Sequence, residues 1–313
     1  QALKEYSAIV GSENVHVSSD SLGSYQKIMI PVEASEYAPA GALAPGSVEE
    51  IQEILRVCNK YKIAVWPVST GKNFGYGSAS AATKGQMILD LRRMNKIIEV
   101  DADLGTALIE PGVTYQQLKN YLVENNIPLW LSCPAPSAIV SPLGNTIDRG
   151  VGYTPYGEHF LFSCGMEVVL ADSQVLRTGM GSMENSKSWQ VFKWGYGPYL
   201  DGIFTQSNYG IVTKLGLWLM PQPPAFKPFV VRYPKDTDIE MLVETIRPLR
   251  ISNIIPNAVV ISHALWEGGS YLNRKDYYQG EGAIPDEAVD KMKADHGIGA
   301  WNIYAGLYGS PEQ

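Results

Sequence analysis

The sequence predicts an α+β fold in two domains, and three observations predict it. Helical and strand-like periodicities mix without a regular β-α-β alternation. A glycine-rich segment follows the strand-like run Ile63-Ala64-Val65-Trp66. A proline-rich break, Met220-Pro221-Gln222-Pro223-Pro224-Ala225, separates two differently patterned stretches, and such a run continues neither a strand nor a helix. With 313 residues, the chain has the length of roughly two domains, placed at 1–222 and 223–313.

The elements follow in order. Ser47-Val48-Glu49-Glu50 has the capping-box pattern, and Ile51, Ile54, Leu55 and Cys58 follow at helical spacing. A helix over about 48–61 then leads into a strand over about 63–67, with the glycine-rich segment at the strand's carboxyl end. Met87 to Leu91 reads as the next strand, and Ile97–Val100 with Thr106–Glu110 as a hairpin. A helix over about 114–125 carries Leu118, Tyr121 and Leu122 on one face. Further strands fit about 165–170, 174–178 and 211–219. Beyond the proline break come a strand at Phe229–Tyr233, a helix over about 236–249 and a strand at Ala258–Ser262.

Two segments carry the chemistry. The first runs from Pro67 to Ser78 (PVSTGKNFGYGS), the second from Gly144 to His159 (GNTIDRGVGYTPYGEH). Small residues let main-chain N–H groups converge on an anion because no Cβ blocks the approach, and Ser69, Thr70 and Asn73 add side-chain donors. A nucleotide pyrophosphate is the natural anion. Taken alone, the segments read equally well as ordinary glycine-rich turns. The Gly-x-Gly-x-x-Gly fingerprint is absent, and Gly71-Lys72 is followed by Asn73 with no glycine five residues upstream, which excludes a P-loop.

Composition narrows the classes. The chain is 45% hydrophobic and 18% charged, enough to bury a sizeable core. Its net charge of −7 and pI of about 5.2 argue against a nucleic-acid partner. Cys58, Cys133 and Cys164 form no Cys-x-x-Cys pair and no disulfide framework, and Cys58 reads as core. No metal spacing occurs, so no metal is expected. No apolar run of membrane-spanning length is present, so a soluble protein is expected. A removed signal would leave the same sequence, and the compartment, periplasmic or cytoplasmic, stays open.

Pro67 to Ser78, Glu110-Pro111-Gly112-Val113-Thr114, Gly144 to His159 and Thr205 to Lys214 (TQSNYGIVTK) occur in one order. Together they resemble the vanillyl-alcohol oxidase / p-cresol methylhydroxylase family of FAD enzymes, from about Ser18 onward. The resemblance implies the two-subdomain FAD-binding fold of that family over 1–222, followed by the amino-terminal part of an α+β substrate-binding cap over 223–313. The rest of that cap would lie beyond Gln313, as would the family's covalent flavin attachment residue, a tyrosine–arginine pair for the phenol oxygen and a carboxylate near the reacting carbon. The cofactor implied is FAD.

Ser69, Thr70, Gly71, Lys72, Asn73, Gly75 and Ser78 would line its pyrophosphate, although Lys72 reads equally well as a solvated side chain. Gly144, Asn145, Gly150, Tyr153 and Gly157 would wrap its other side, while Gly210, Ile211 and Val212 would contact it near the adenine end. Pro134 and Ser137, within 131–141, would run past the flavin's reactive edge. Tyr76 matches the tyrosine that holds the substrate's phenolate oxygen, where a neutral O–H donor stabilises the aryl oxide. The other reading of Tyr76 is packing over the flavin. Glu158 and His159 would stand behind these groups, His159 without a catalytic role.

The implied substrate is a 4-alkylphenol. No acidic residue occurs between Glu124 and Asp148, where the oxidase branch carries an aspartate, and this favours the cytochrome-linked dehydrogenases. A c-type cytochrome subunit is then the implied partner, its haem on another chain because no Cys-x-x-Cys-His occurs here, and a homo-oligomer of the flavoprotein is implied as well. The alternatives are an oxygen-dependent phenolic oxidase and a non-catalytic flavin-binding protein.

Overall fold

Ser47 lies in extended backbone, and its side chain accepts from the Glu50 amide at 3.2 Å, which starts the first long helix at Val48 where the capping box places it. The computed structural model describes residues 1–28, 31–73, 78–195 and 197–312. Two units are present, 1–152 with 156–222 and 153–155 with 223–313.

The first unit begins with α1 (Ala2–Val10), β1 (Val15–His16), α2 (Ser19–Leu22), β2 (Gly41–Leu43), α3 (Val48–Tyr61), β3 (Val65–Val68) and β4 (Met87–Asp90). These strands order as β1-β2-β4-β3, with β2, β4 and β3 parallel and α3 crossing from β2 to β3. Ile51, Ile54, Leu55, Val57 and Cys58 are the buried stripe of α3. Cys58 is indeed core, and its sulfur lies 3.1 Å from the Tyr6 hydroxyl of α1. The strand expected from Ile63 starts two residues later, because Lys62 ends α3 in the left-handed region and the Ile63 amide still bonds the Cys58 carbonyl.

Five antiparallel strands follow in the order β5-β6-β10-β8-β9. They are β5 (Ile97–Asp101), β6 (Thr106–Ile109), β8 (Ser163–Leu170), β9 (Val175–Arg177) and β10 (Gly210–Trp218). α4 (Tyr115–Glu124), β7 (Leu129–Trp130) and α5 (Pro142–Ile147) lie between β6 and β8, and β11 (Met220–Pro221) pairs with β7. Alternate residues of β8 and β10 enter different cores. Val169 and Ile211 pair across the strands and join the cluster under α3, whereas Val168 and Val212 pair and join the cluster under α4. The sheet therefore has no solvent face at its centre, and β8 reads as one apolar run.

Glu167 interrupts that run. It is 2% exposed and bonds Lys214 Nζ at 2.9 Å, Arg177 Nε at 2.9 Å and the Thr213 hydroxyl at 3.1 Å. Burial alone would raise its carboxyl. The Lys214 hydrogen bond and charge, then those of Arg177, outweigh burial and hold it below the usual carboxylate range.

The second unit is β12 (Ala225–Tyr233), α6 (Ile239–Ile251), β13 (Val260–His263), α7 (Ala264–Tyr271), α8 (Asp286–His296) and β14 (Trp301–Gly309). Its antiparallel sheet orders as β12-β14-β13 over a core of Leu242, Ile246, Ile255 and Ile303. β12 starts at Ala225, four residues before the expected strand. It pairs only with β14 among the described residues, and an edge strand tolerates the missing N–H of Pro228.

Glu167→Ala should lower stability by about 3 kcal/mol, because it leaves the half-buried Lys214 ammonium without its acceptor beside the sheet. Urea unfolding measures this, and a loss under about 1 kcal/mol would assign the triad to the surface class of ion pairs.

Candidate functional site

β3 ends at Val68, and Ser69 to Asn73 leave its carboxyl end. They meet the start of α5. Ser141 caps that helix by accepting from the Gly144 amide at 3.3 Å, and Pro142 occupies its first turn. The Ser141 amide donates to Thr70 Oγ1 at 3.1 Å, and both residues are buried. A Cβ built on Gly144 would lie 2.0 Å from Ser69 Oγ, so the bare glycine is what lets the two segments touch. Asn73 Nδ2 reaches Asp148 Oδ2 at 3.4 Å, and burial raises the Asp148 carboxyl. Gly71 has φ +63°, and a Cβ there would lie 2.7 Å from the Ala79 Cβ.

This junction leaves donors unused. The main-chain N–H groups of Thr70 to Asn73 bond no described residue. Lys72 is exposed and makes no ion pair among the described residues. Unpaired amides around a left-handed glycine, with a lysine beside them, are the donor types that bind an anion. The donor set fits a pyrophosphate.

The second segment differs from the expected loop in one respect: Gly144 and Asn145 are helical, inside α5. Six residues with a glycine at the third are too short to show helical periodicity. The end of α5 is fixed by the segment before β10. Gln206 donates its amide to the Ile147 carbonyl and its Nε2 to the Asp148 carbonyl, each at 2.9 Å, and Arg149 Nε donates to Thr205 Oγ1 at 2.9 Å. Arg149 and Gln206 both have positive φ, which these bonds hold.

The structure brings Ser69, Thr70, Asn73, Gly144 and Asn145 together, with Gly150 behind Asn145. A Cβ on Gly150 would lie 2.3 Å from Asn145 Nδ2. Ser78, at φ +52°, donates to the Asn73 carbonyl at 3.2 Å. Gly157 accepts from the Gly152 amide at 2.8 Å. Gly210 starts β10 against Val168, and the side chains of Ile211 and Val212 are buried in the two cores, so only their main chain is available to a ligand. Pro134 and Ser137 line a separate cavity of about 740 Å³ with Lys119, Trp130 and Cys133. Tyr153 is exposed and belongs to the second unit. Gly75 and Tyr76 lie outside the described residues.

Sequence reasoning missed Ser141, Thr205 and Gln206 as parts of this junction. The Ser-Pro pair before Leu143 was a helix-start signal that could have found Ser141. Behind Asn145 stands His159, 6% exposed, its Nδ1 2.5 Å from Asn145 Oδ1 and 3.4 Å from the Tyr115 hydroxyl. Burial lowers this imidazole to about 4 and pushes the Tyr115 phenol up. No helix among the described residues is long and apolar enough to cross a membrane.

Residues 39–179 match a family model described as an FAD binding domain. The chain is 55% identical to the 4-cresol dehydrogenase [hydroxylating] flavoprotein subunit of Pseudomonas putida, over 100% of this chain and 60% of the relative. It is 33% identical to 1'-carboxy-chondrochloren decarboxylase of Chondromyces crocatus, over 96% and 55%. A crystal structure of p-cresol methylhydroxylase with substrate bound superposes with a TM-score of 0.97 at 55% identity, covering 99% of this chain and 61% of that one. The 4-ethylphenol oxidase from Gulosibacter chungangensis gives 0.95 at 36%, covering 98% and 59%. The chain thus spans about three-fifths of the length of these proteins.

Gly144→Val drives a branched side chain into Ser69, so FAD affinity should fall about a hundredfold, or about 2.7 kcal/mol. Equilibrium dialysis of the folded variant measures it, and an unchanged affinity would remove α5 from the cradle.

His159 gives a second test. Its folded pKa lies below the unfolded value of about 6.5, so the unfolded chain takes the proton first. The stabilisation is complete above about pH 6.5 and is lost as pH falls towards 4, by about 3 kcal/mol in total. The stability gap between wild type and His159→Gln should narrow by that amount from pH 7 to pH 4 in chemical unfolding. A gap independent of pH would mean that the imidazole titrates normally.

Proposed function

The chain belongs to the vanillyl-alcohol oxidase / p-cresol methylhydroxylase family of FAD enzymes, and from that premise we propose that it is the flavoprotein of a 4-alkylphenol dehydrogenase that passes electrons to a c-type cytochrome subunit. The observation that carries the proposal is the 55% identity to the 4-cresol dehydrogenase flavoprotein subunit along the whole chain. When bound, FAD would supply the two-electron acceptor for a hydride from the benzylic carbon of the phenol, leaving a quinone methide open to water.

The residues of this chain bind and orient. The amides of Thr70 to Asn73 and the Lys72 ammonium neutralise the pyrophosphate, and the Thr70–Ser141 bond sets the loop against α5. By the resemblance, main chain from Gly210 to Val212 would contact the adenine end, and Pro134 and Ser137 would lie towards the flavin's reactive edge. Tyr76 donates its O–H to the phenolic oxygen, holding the substrate as its anion and pushing electron density towards the benzylic carbon.

A second reading is an oxidase that returns electrons to dioxygen, supported by the 0.95 TM-score with 4-ethylphenol oxidase. The lower identity to that protein and the absence of an acidic residue in 125–147 favour the dehydrogenase.

Anaerobic 4-alkylphenol should bleach the bound flavin, and Tyr76→Phe should slow that reduction about ten- to a hundredfold, the loss of one charge-assisted bond of about 1.5–3 kcal/mol. Reduced protein should persist in air for many seconds and be emptied quickly by a c-type cytochrome. Rapid reoxidation with stoichiometric hydrogen peroxide would establish the oxidase reading, and absence of bleaching a flavin-binding protein without this activity.

A further inference from the structure

An asparagine amide is nearly symmetric in shape but not in charge. Its NH2 end attracts an anion and its carbonyl end repels one. Asn145 stands on α5 beside Gly144, the residue that touches Ser69 of the phosphate-cradle loop. Both ends of its amide lie against Gly150; Nδ2 has no acceptor among the described residues, while Oδ1 is held by His159. A carbonyl oxygen only accepts, so His159 Nδ1 carries the proton. Nε2 is then a bare acceptor. It makes no hydrogen bond among the described residues, and neither does the buried Ser132 hydroxyl. Both atoms lie within 2.5 Å of where a Gly152 Cβ would stand.

We propose that His159 is a positioning residue for the cofactor cradle: its Nδ1–H locks the Asn145 amide with the NH2 end, not the carbonyl, turned to the anionic cofactor. The proposal rests on α5 and the 69–73 loop being the FAD cradle. His159 touches neither cofactor nor substrate in this scheme and acts through Asn145. Its burial suits the role, because burial keeps the imidazole neutral, with only one ring nitrogen donating. Tyr115, the hydroxyl on the other side of Nδ1, is neutral at all working pH because burial raises it.

The test is a double-mutant cycle on FAD affinity, measured on folded protein by quenching of flavin fluorescence. His159→Leu and Asn145→Leu should each weaken FAD about tenfold, and the double variant should be no weaker than either single one. His159→Asn, whose amide NH2 replaces the Nδ1–H, should recover affinity to within about threefold of wild type. Additive losses, or a His159→Leu protein with wild-type affinity, would overturn the proposal. Imidazole nitrogen NMR of the unmutated protein provides a second readout that needs no variant to fold. A protonated Nδ1 and a bare Nε2 at neutral pH are expected, and the opposite tautomer would overturn the scheme. Wild-type protein that binds no FAD while showing the expected tautomer would locate the failure in the cradle assignment, not in the His159–Asn145 bond.

Discussion

The contact between the loop after β3 and the start of α5 is the constraint on which the site depends. It needs three residues at once. Thr70 supplies the acceptor for the Ser141 amide, Gly144 supplies the absence of a side chain, and Ser69 fills that absence. Because the Ser141 amide is spent on Thr70 and the Gly144 amide on the Ser141 hydroxyl, the loop's own amides are what remain available to an anion. The same contact joins the parallel sheet, from which the loop emerges, to the segment between β6 and β8 of the antiparallel sheet.

The antiparallel sheet makes that arrangement rigid. β8 and β10 send alternate side chains into the core under α3 and the core under α4, so neither core can repack without the other. Gln206 and Thr205, just ahead of β10, then grip the end of α5. The site is thus held at both ends of a six-residue helix, by Thr70 at the start and by Gln206 at the finish. Glu167 ties the three strands β9, β8 and β10 together beneath it.

Much of the fold was legible because its signals are local. The Ser47 cap, the stripe Ile51–Cys58 and the hairpin around Ile97 and Thr106 each fall within one window of sequence, and each appears where expected. α1, α7, α8 and β14 were not read. β14 is the centre of its sheet and pairs with Ala225–Tyr233 across about 70 residues, a relation no local pattern encodes. At the site, glycine content pointed to Gly71 and Gly144 but not to what each glycine accommodates. Gly144 reads as loop in sequence and is helical in space. Gln206 and the partner of Ser141, Thr70, come from segments far apart in sequence, and no local pattern encodes those bonds.

The central claim is that the Thr70–Asn73 amides, left unpaired by the loop–α5 contact, bind the cofactor's pyrophosphate. Hydrogen exchange at those amides, with and without FAD, tests it most directly. FAD should slow exchange at Thr70 to Asn73 by about tenfold or more, while amides inside β8, already bonded, stay unchanged. FAD binding that leaves the Thr70–Asn73 exchange rates unaltered would contradict the account.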